Sequence, residues 1–198
     1  RDWSSDVCSS DLLARIMKSV ESSSTLTRSG FEYKTEKYGR IFSPTEIGKY
    51  SGKIKSICDQ IIGSTGLVMI YSQYIDSGVV PMALALEEMG FSRYGMASHT
   101  KSLFNNPPSE AIDSITMQKK SKYKGNSFKS AKYVMITGDK YFSPNNSLDL
   151  KEINASSNVH GERIKVILIT KAAAEGLDFK NVRQIHIMEP WYNLSRIE

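Results

Sequence analysis

A hydroxyl, a glycine and a carboxylate lie in one short stretch near the end of the chain, at Thr170, Gly176 and Asp178. The apolar, β-branched run at 164–169 before them predicts a buried parallel strand, and a second apolar run at 185–188 follows shortly after. Polar groups at the carboxyl ends of strands bind ligands in open α/β sheets. The spacing therefore predicts a ligand-binding loop between two strands.

Upstream residues predict the sheet and helices that would position this loop. A capping box at 43–46 precedes an apolar stripe with alternating spacings of three and four, which is typical of a helix packed on a sheet. Further strands are predicted at 67–71 and 132–137, and further helices at 79–89, closed by Gly90, and at 147–155, with Leu148, Leu150 and Ile153 inward. This alternation predicts an α/β fold, a parallel sheet with helices on both faces.

Two of the predicted strands end in polar residues at what would be one edge of the sheet. The first ends in Ser72 and Gln73, and the strand at 132–137 ends in Gly138 and Asp139. Glycine at a strand tip lets the backbone approach a ligand closely, although a plain turn also explains it. Ordinary polarity at a strand end is the competing explanation for Ser72 and Gln73.

Lysines crowd a predicted insertion at about 101–131, where Pro107-Pro108 breaks regular structure. Tyr123 and Phe128 are interleaved with them, and lysines with aromatic residues bind nucleic acid through phosphate neutralisation and base stacking. A solvated, mobile insertion is the alternative and the favoured interpretation of a lone lysine cluster. The lysines are Lys119, Lys120, Lys122, Lys124 and Lys129.

Residues 1–12 resemble the translation of a sequencing adapter, so they are excluded from the fold, and the reading frame is expected to be a piece of a longer one. Excluding them removes one basic and three acidic residues, which raises the net charge from +5 to +7 and favours a polyanionic partner.

Cys58 is then the single cysteine, which fits a reducing, intracellular compartment. Residues 13–42 predict a connector or arm with little regular structure. No stretch approaches the ~20 apolar residues of a membrane span, so no membrane partner is expected.

The order T-x-x-x-x-x-G-x-D at Thr170, Gly176 and Asp178 resembles motif V of superfamily 2 helicases and translocases. The stretch GLVMIYSQYIDSG at 66–78 resembles motif IV of their second lobe. The stretch GLDFKNVRQIHIMEPWYNLSRIE at 176–198 narrows the resemblance to helicase-like ATPases of nucleocytoplasmic large DNA viruses. That group includes the poxvirus early transcription factor small subunit and nucleoside triphosphatase I.

This resemblance implies that 43–198 form the C-terminal, RecA-like lobe of a motor that uses ATP with Mg²⁺ and acts on DNA or RNA. It implies that the Asp178 carboxylate accepts hydrogen bonds from the ribose hydroxyls and that Gly176 keeps the backbone near the phosphates. It also implies that Thr170 donates to a nucleic-acid phosphate, a contact that positions a strand without reading its sequence. Contacts to the same tracked strand are implied for Ser72, Gln73, Gly138, Asp139 and Lys171.

Two parts of such a motor are expected elsewhere. The arginine-bearing motif VI would follow Glu198, and no G-x-x-x-x-G-K-[ST] loop occurs, so the N-terminal lobe with its phosphate-binding lysine and Mg²⁺ ligands is an expected partner. An arginine finger alone contributes about 10³ to 10⁵ in rate in comparable phosphoryl transfer. The sequence therefore predicts no catalytic residue in this chain and no ATP hydrolysis by it alone.

Other candidate sites are weak. His99, His160 and His186 have no ligand neighbours at suitable spacing, so no metal site is predicted, and His186 fits a core histidine. Trp191 and Tyr192 fit core or lobe-interface packing better than base stacking.

Two other functions remain open. A viral transcription-factor subunit would use the lobe mainly to dock on nucleic acid and on a viral RNA polymerase, with ATP hydrolysis secondary. An unrelated nucleotide-binding α/β domain would require the motif V spacing and the EPWYN stretch to coincide by chance. If the source is a virus, the resemblance implies the host cytoplasm or the virion as the location.

Overall fold

Five parallel strands form the central sheet in the computed structural model, which describes residues 11–21, 28–95, 102–106, 110–174 and 177–189. A separate antiparallel pair precedes them, β1 (Met17–Glu21) and β2 (Arg28–Tyr33). The sheet strands are β3 (Leu67–Ser72), β4 (Ser92–Arg93), β5 (Lys132–Ile136), β6 (Val166–Thr170) and β7 (Val182–Ile187). Their order is β4-β5-β6-β3-β7, so the strand with the motif V loop lies at the centre, beside β3.

Helices lie on both faces of the sheet, as the alternating sequence pattern predicts. They are α1 (Asp11–Ile16), α2 (Thr35–Tyr38), α3 (Ile47–Tyr50), α4 (Gly52–Ile62), α5 (Val80–Met89), α6 (Asn146–Ile153) and α7 (Lys171–Ala174), with a π-helical turn at Ile75–Val79. The predicted α/β, RecA-like fold is therefore confirmed. Within the described ranges, no helix has the length and apolar character needed to cross a membrane.

The helices α4 and α5 pack on one face and bury the larger apolar core. Helix α4 starts near the carboxyl ends of the strands, because Lys53 Nζ donates to the Met188 carbonyl just beyond β7 at 2.6 Å. Its eleven residues span about 16 Å, so its last turn lies near the amino ends. Helix α5 is buried over most of its surface and ends at Gly90, whose φ of 106° only glycine adopts without strain.

The capping box predicted at 43–46 is not formed, and the predicted single helix is split into α3 and α4. The Ser43 carbonyl accepts the N–H groups of Glu46 and Ile47 in a turn that leads into α3. The residue that caps α4 is Ser51, whose Oγ accepts the N–H of Ile54 at 3.2 Å. Ser51 has extended backbone angles, so the chain leaves one helix and starts the next without losing the apolar face.

The opposite face of the sheet is covered less completely, by α6 and the chain that follows α7. Ile153 is buried there, whereas Leu148 is 50% exposed, so the inward position predicted for Leu148 is wrong. The edge strand β7 leaves Ile185 and Ile187 exposed by 61% and 41%. Within the described residues, strand β7 has a neighbouring strand on one side alone, so the apolar run at 185–188 did not by itself show that its side chains are buried.

The segment expected to be an arm with little regular structure contains the β1–β2 hairpin instead. Met17 pairs with Tyr33 in this hairpin and is buried in the larger core. The Tyr33 hydroxyl donates to Glu88 Oε1 at 2.5 Å, and Arg40 pairs with Glu88 Oε2 at 2.6 Å. Since Glu88 belongs to α5 and is buried, these bonds stabilise its charge and attach the hairpin to the sheet domain.

The lysine-rich insertion is an ordered structure around Asp113. The buried Asp113 carboxylate accepts the N–H groups of Ile115, Thr116 and Lys129 at 2.9–3.1 Å. Burial raises the pKa of Asp113, but these bonds and the Thr116 hydroxyl outweigh it and hold the pKa below its usual value. Residues 110–131 therefore fold around a buried carboxylate, while the choice between a nucleic-acid contact and a solvated insertion stays a prediction.

This insertion lies at the amino ends of the strands. The Ile112 N–H donates to the Gly90 carbonyl, and the Ala131 N–H donates to the Ile112 carbonyl, immediately before β4 and β5 begin. A strand of five residues is about 16 Å long, so the insertion is at the opposite end of the sheet from the polar residues predicted at the strand ends, Ser72, Gly138 and Thr170.

Candidate nucleotide and nucleic-acid edge

The carboxyl ends of β3, β5 and β6 bring most of the predicted contact residues to one edge. Ser72 and Thr170 are register partners across the β3–β6 pair. Strand β5 pairs with β6 one residue short of that position, so Gly138 and Asp139 follow at the same edge. Lys171 comes directly after Thr170 and is exposed. The common edge predicted from the strand ends is therefore present.

Glu189, which the sequence interpretation missed, joins the end of β7 to the end of β3. Its Oε2 accepts the Ser72 hydroxyl at 2.8 Å and the Gln73 N–H at 3.1 Å. Ser72 is fully buried, and its hydroxyl also accepts the Tyr74 N–H at 3.2 Å. This hydroxyl is committed to the fold, and contact of Ser72 or Gln73 with nucleic acid stays a prediction.

Gly78 closes the π-helical turn over this junction. A Cβ at Gly78 would lie 1.9 Å from Ser72 Oγ and 3.6 Å from Glu189 Oε1. The distance to Ser72 Oγ is far shorter than van der Waals contact. The chain can pass so close to Ser72 because glycine has no side chain. The sequence signal was present, since a glycine stands a few residues after the predicted strand, but its partner was not evident.

The Thr170 hydroxyl is the polar group at this edge that most needs a partner. Thr170 is 2% exposed, and its Oγ1 has no hydrogen bond within the described residues. The Asn146 Oδ1 atom, at the start of α6, is also buried without one, while its Nδ2 donates to the Thr137 carbonyl at 3.2 Å. Buried polar atoms are ordinarily hydrogen-bonded. Both atoms are therefore suited to a ligand that arrives at the edge.

The loop after β5 is held by a hydroxyl pair that the sequence did not reveal. Thr137 Oγ1 and Ser143 Oγ lie 2.8 Å apart, and Ser143 Oγ accepts the Thr137 N–H at 2.9 Å. Asp139 Oδ1 accepts the Tyr141 N–H at 2.7 Å, which closes the turn. A Cβ at Gly138 would lie 3.1 Å from Ala172 Cβ, so this loop and the start of α7 are close neighbours.

Asp178 lies apart from that edge. Asn154, which follows α6, donates its Nδ2 to the Asp178 carbonyl at 2.8 Å and accepts the Lys180 N–H at 3.0 Å. The opposite end of α6 is at the edge, where Asn146 contacts Thr137, and eight helical residues span about 12 Å. The Asp178 side chain is exposed, and its loop is fixed through the backbone. Asn154 is a positioning residue that sequence reasoning missed.

Several predicted contacts lie outside the described residues. These are Gly176, the aromatic pair Trp191 and Tyr192, and the rest of the EPWYN stretch after Glu189. The Pro107-Pro108 break and residues 1–10 lie outside them as well.

Burial shifts the pKa values of two groups near the edge, Tyr71 and His186. Burial, and then the Glu189 charge, raise the pKa of Tyr71, so its hydroxyl stays protonated at neutral pH. Burial lowers the pKa of His186, and the ring Nε2 lies 2.7 Å from Gln184 Nε2. His186 is half-buried on the edge strand. Over the described ranges, no group of three or more His, Cys, Asp or Glu is arranged to hold a metal ion.

A parallel sheet with polar groups at its carboxyl edge and helices on both faces is consistent with a RecA-like lobe. Over 152 residues, 74% of this chain, it is 31% identical to the termination factor NPH-I homologue of African swine fever virus. Two mimivirus proteins named as ATP-dependent RNA helicases are each 27% identical, over 77% and 80% of this chain. No family model and no solved structure matches.

The chain covers 21%, 22% and 25% of the length of these three relatives, so it corresponds to one part of each. The relatives support a helicase-like superfamily and a motor-type domain for this chain.

Proposed function

We propose that this chain is the second motor lobe of an ATP-dependent superfamily 2 helicase or translocase. The observation that carries the proposal is the buried Thr170 hydroxyl at the carboxyl edge, which has no hydrogen-bond partner among the described residues and lies where the motif V resemblance expects a phosphate contact. The names of the viral relatives support an ATP-dependent motor.

The edge serves the nucleic acid in this proposal. The Thr170 hydroxyl donates to a backbone phosphate, and the exposed Lys171 ammonium adds a favourable charge beside it. The exposed Gly138 lets the backbone approach the strand, with Asp139 fixing the turn and Ser72 and Gln73 completing the row. Such contacts hold DNA or RNA without reading sequence, as a motor that moves along a strand requires.

Asp178 serves the nucleotide. Its carboxylate is exposed on a loop that Asn154 holds through the Asp178 carbonyl and the Lys180 N–H, so it is presented without a large entropic cost and fits the ribose hydroxyls. Gly176 would keep the backbone near the phosphates. Bound ATP supplies the phosphoanhydride whose cleavage changes the interface between two lobes. Its Mg²⁺ ligands and phosphate-binding lysine belong to the first lobe of the full protein, and this chain alone does not hydrolyse ATP.

A role linked to transcription is the second candidate. The African swine fever virus relative is named a termination factor, which favours a motor that works beside a viral RNA polymerase. The lobe would then contribute mainly docking on nucleic acid and polymerase, in the host cytoplasm or the virion.

The test is ATP hydrolysis by the protein from the complete gene, with and without single-stranded DNA or RNA, beside this chain alone. The full protein should hydrolyse ATP and be stimulated by one of the strands, and the chain alone should be inactive. A full protein that binds nucleic acid without hydrolysing ATP would favour the docking role. Hydrolysis by the chain alone would overturn the assignment of a second lobe.

A further inference from the structure

An apolar pocket of about 200 Å³ opens on the larger core, away from the carboxyl edge. Its walls are Cys58 and Ile62 at the end of α4, Ala85 and Met89 on α5, and Met117 in the insertion. The last turn of α4 lies near the amino ends of the strands, so the pocket is far from the nucleic-acid contacts predicted at the carboxyl edge, and it lies on the opposite face of the sheet from the Asp178 loop. Ile62 at its mouth is 56% exposed.

The pocket has the volume of one large side chain. Drug-sized ligands and cofactors occupy about 300–1,000 Å³, whereas a dry apolar cavity of about 150 Å³ takes up benzene. Its described walls are mostly aliphatic, so the fitting group is an apolar side chain that inserts from outside. Buried apolar anchors of this kind supply most of the binding energy in protein interfaces.

Met117 has a backbone conformation that is unfavourable for a methionine. Its φ is 56°, and it is the sole non-glycine with positive φ within the described ranges. The hydrogen bonds of Asp113 hold the turn in this shape, since its carboxylate binds the amides of Ile115 and Thr116 and its carbonyl binds that of Met117. Strained positions persist where the surrounding structure enforces them, and they cluster at binding sites. Here the strain places a flexible, adaptable side chain in the pocket wall.

The insertion brings several lysines to one side of the pocket. Lys119 lines it, and Lys120, Lys122 and Lys124 follow in the same exposed turn. None of the ion pairs found in the described ranges uses these four lysines. The other lysine at the pocket, Lys55, is neutralised by Asp59 at 2.5 Å.

We propose that this pocket and its lysines form a docking site for an acidic segment of a partner protein that inserts one apolar side chain. The lysines would attract any polyanion, and the aliphatic walls favour an acidic peptide over nucleic acid, because they suit an apolar side chain. Tyr123 and Phe128 pack edge-to-face on each other at 5.3 Å, and Lys120 lies over the Phe128 ring, so these aromatics are already used within the insertion. The docking site is independent of the motor function proposed above.

The test is fluorescence anisotropy of the whole chain with a short labelled peptide of Asp, Glu and Ser residues that carries one central Phe. The Phe peptide should bind at least about tenfold more tightly than the same peptide with Ala, since the anchor supplies the affinity. Ile62→Glu and Met117→Gly should each weaken binding about fivefold or more. Met117→Gly also relieves the backbone strain, so it should not unfold the protein.

The contribution of charge is tested with Lys119→Glu, which should weaken binding of the Phe peptide. Lys151→Glu is the matched control, because Lys151 is exposed on α6 on the other face of the sheet, and it should leave peptide binding unchanged. Equal affinity for the Phe and Ala peptides, no measurable binding, or indifference to Met117→Gly would each overturn the proposal. If a labelled single-stranded oligonucleotide binds the parent chain, and both Ile62→Glu and Lys119→Glu abolish that binding, the surface is a nucleic-acid site instead.

Discussion

The Glu189 carboxylate accepts the Ser72 hydroxyl at 2.8 Å and thereby fastens the end of β7 to the end of β3. Strands β3 and β7 are neighbours in the sheet but lie far apart in the sequence. The bond joins a partly buried carboxylate to a hydroxyl and a backbone amide, and a hydrogen bond with a charged acceptor is stronger than a neutral one. It gives the predicted nucleic-acid edge a rigid border on one side.

Replacing Gly78 by alanine should loosen this border. The new Cβ would collide with Ser72 Oγ, and overpacking of this kind costs about 1–3 kcal/mol of unfolding free energy. Urea denaturation measures the loss. Gly52→Ala is the control, because a Cβ there meets nothing within 4 Å and alanine favours the helix. Equal stability of the two variants would contradict the close approach at Gly78.

Thr170→Val should lower the activity of the full protein without lowering its stability. The hydroxyl has no partner within the described residues, so its removal should leave the unfolding free energy unchanged or raise it slightly. In the full protein the same change should lower nucleic-acid-stimulated ATP hydrolysis about tenfold, because the phosphate contact is lost.

Thr137→Val is the matched comparison at the same edge. The Thr137 hydroxyl is paired with Ser143, so valine should destabilise the protein by about 1–3 kcal/mol. Normal stimulation by nucleic acid in a stable Thr170→Val protein would remove the phosphate contact from the proposal.

Asp178→Ala should weaken ATP binding by the full protein while leaving its stability intact. The carboxylate is exposed, and the loop is held through the Asp178 carbonyl, which alanine retains. Loss of a hydrogen bond between a charged group and the ribose corresponds to about 1.5–3 kcal/mol, or more than tenfold in affinity. Binding of a fluorescent ATP analogue measures it.

Asn154→Ala acts on the same loop without touching the carboxylate. It removes the bonds to Asp178 and Lys180, so it should weaken ATP binding less than Asp178→Ala and lower stability as well. Unchanged ATP affinity in Asp178→Ala would exclude the ribose role.

Asp149 should make stability depend on pH. Burial raises the pKa of its carboxyl to about 6, and the nearby Arg93 charge lowers it only partly. The folded protein thus holds this proton more tightly than the unfolded chain, whose Asp titrates near 3.9. Protonated Asp149 makes its full contribution to the unfolding free energy below about pH 4, and this contribution is lost as the pH rises towards about 6. Asp149→Asn, which stays uncharged, should be more stable than the parent at pH 8 by about 1–3 kcal/mol in urea denaturation, and an equal difference at pH 4 would contradict this cause.

Local patterns in the sequence predicted most of the elements correctly. The glycine after α5, the apolar runs of β3, β5 and β6, and the polar residues at their ends are short-range signals, and the structure has these elements within a few residues of the expected bounds. The exposed Leu148 and Ile185 show the limit, because apolar spacing does not tell which face another element covers. Ser51 was missed as a cap because Ser43 offered a stronger local signal.

By itself the sequence determined the α/β class, the chain order of strands and helices, and Thr170 at the end of a buried strand, because these depend on periodicity and turn chemistry over a few residues. Tertiary structure alone decided that Glu189 meets Ser72, that Asn154 holds Asp178 away from the edge, and that Lys119 lines a pocket near the amino ends of the strands. Those relationships join residues distant in sequence, and the burial of side chains across the whole sheet selects them.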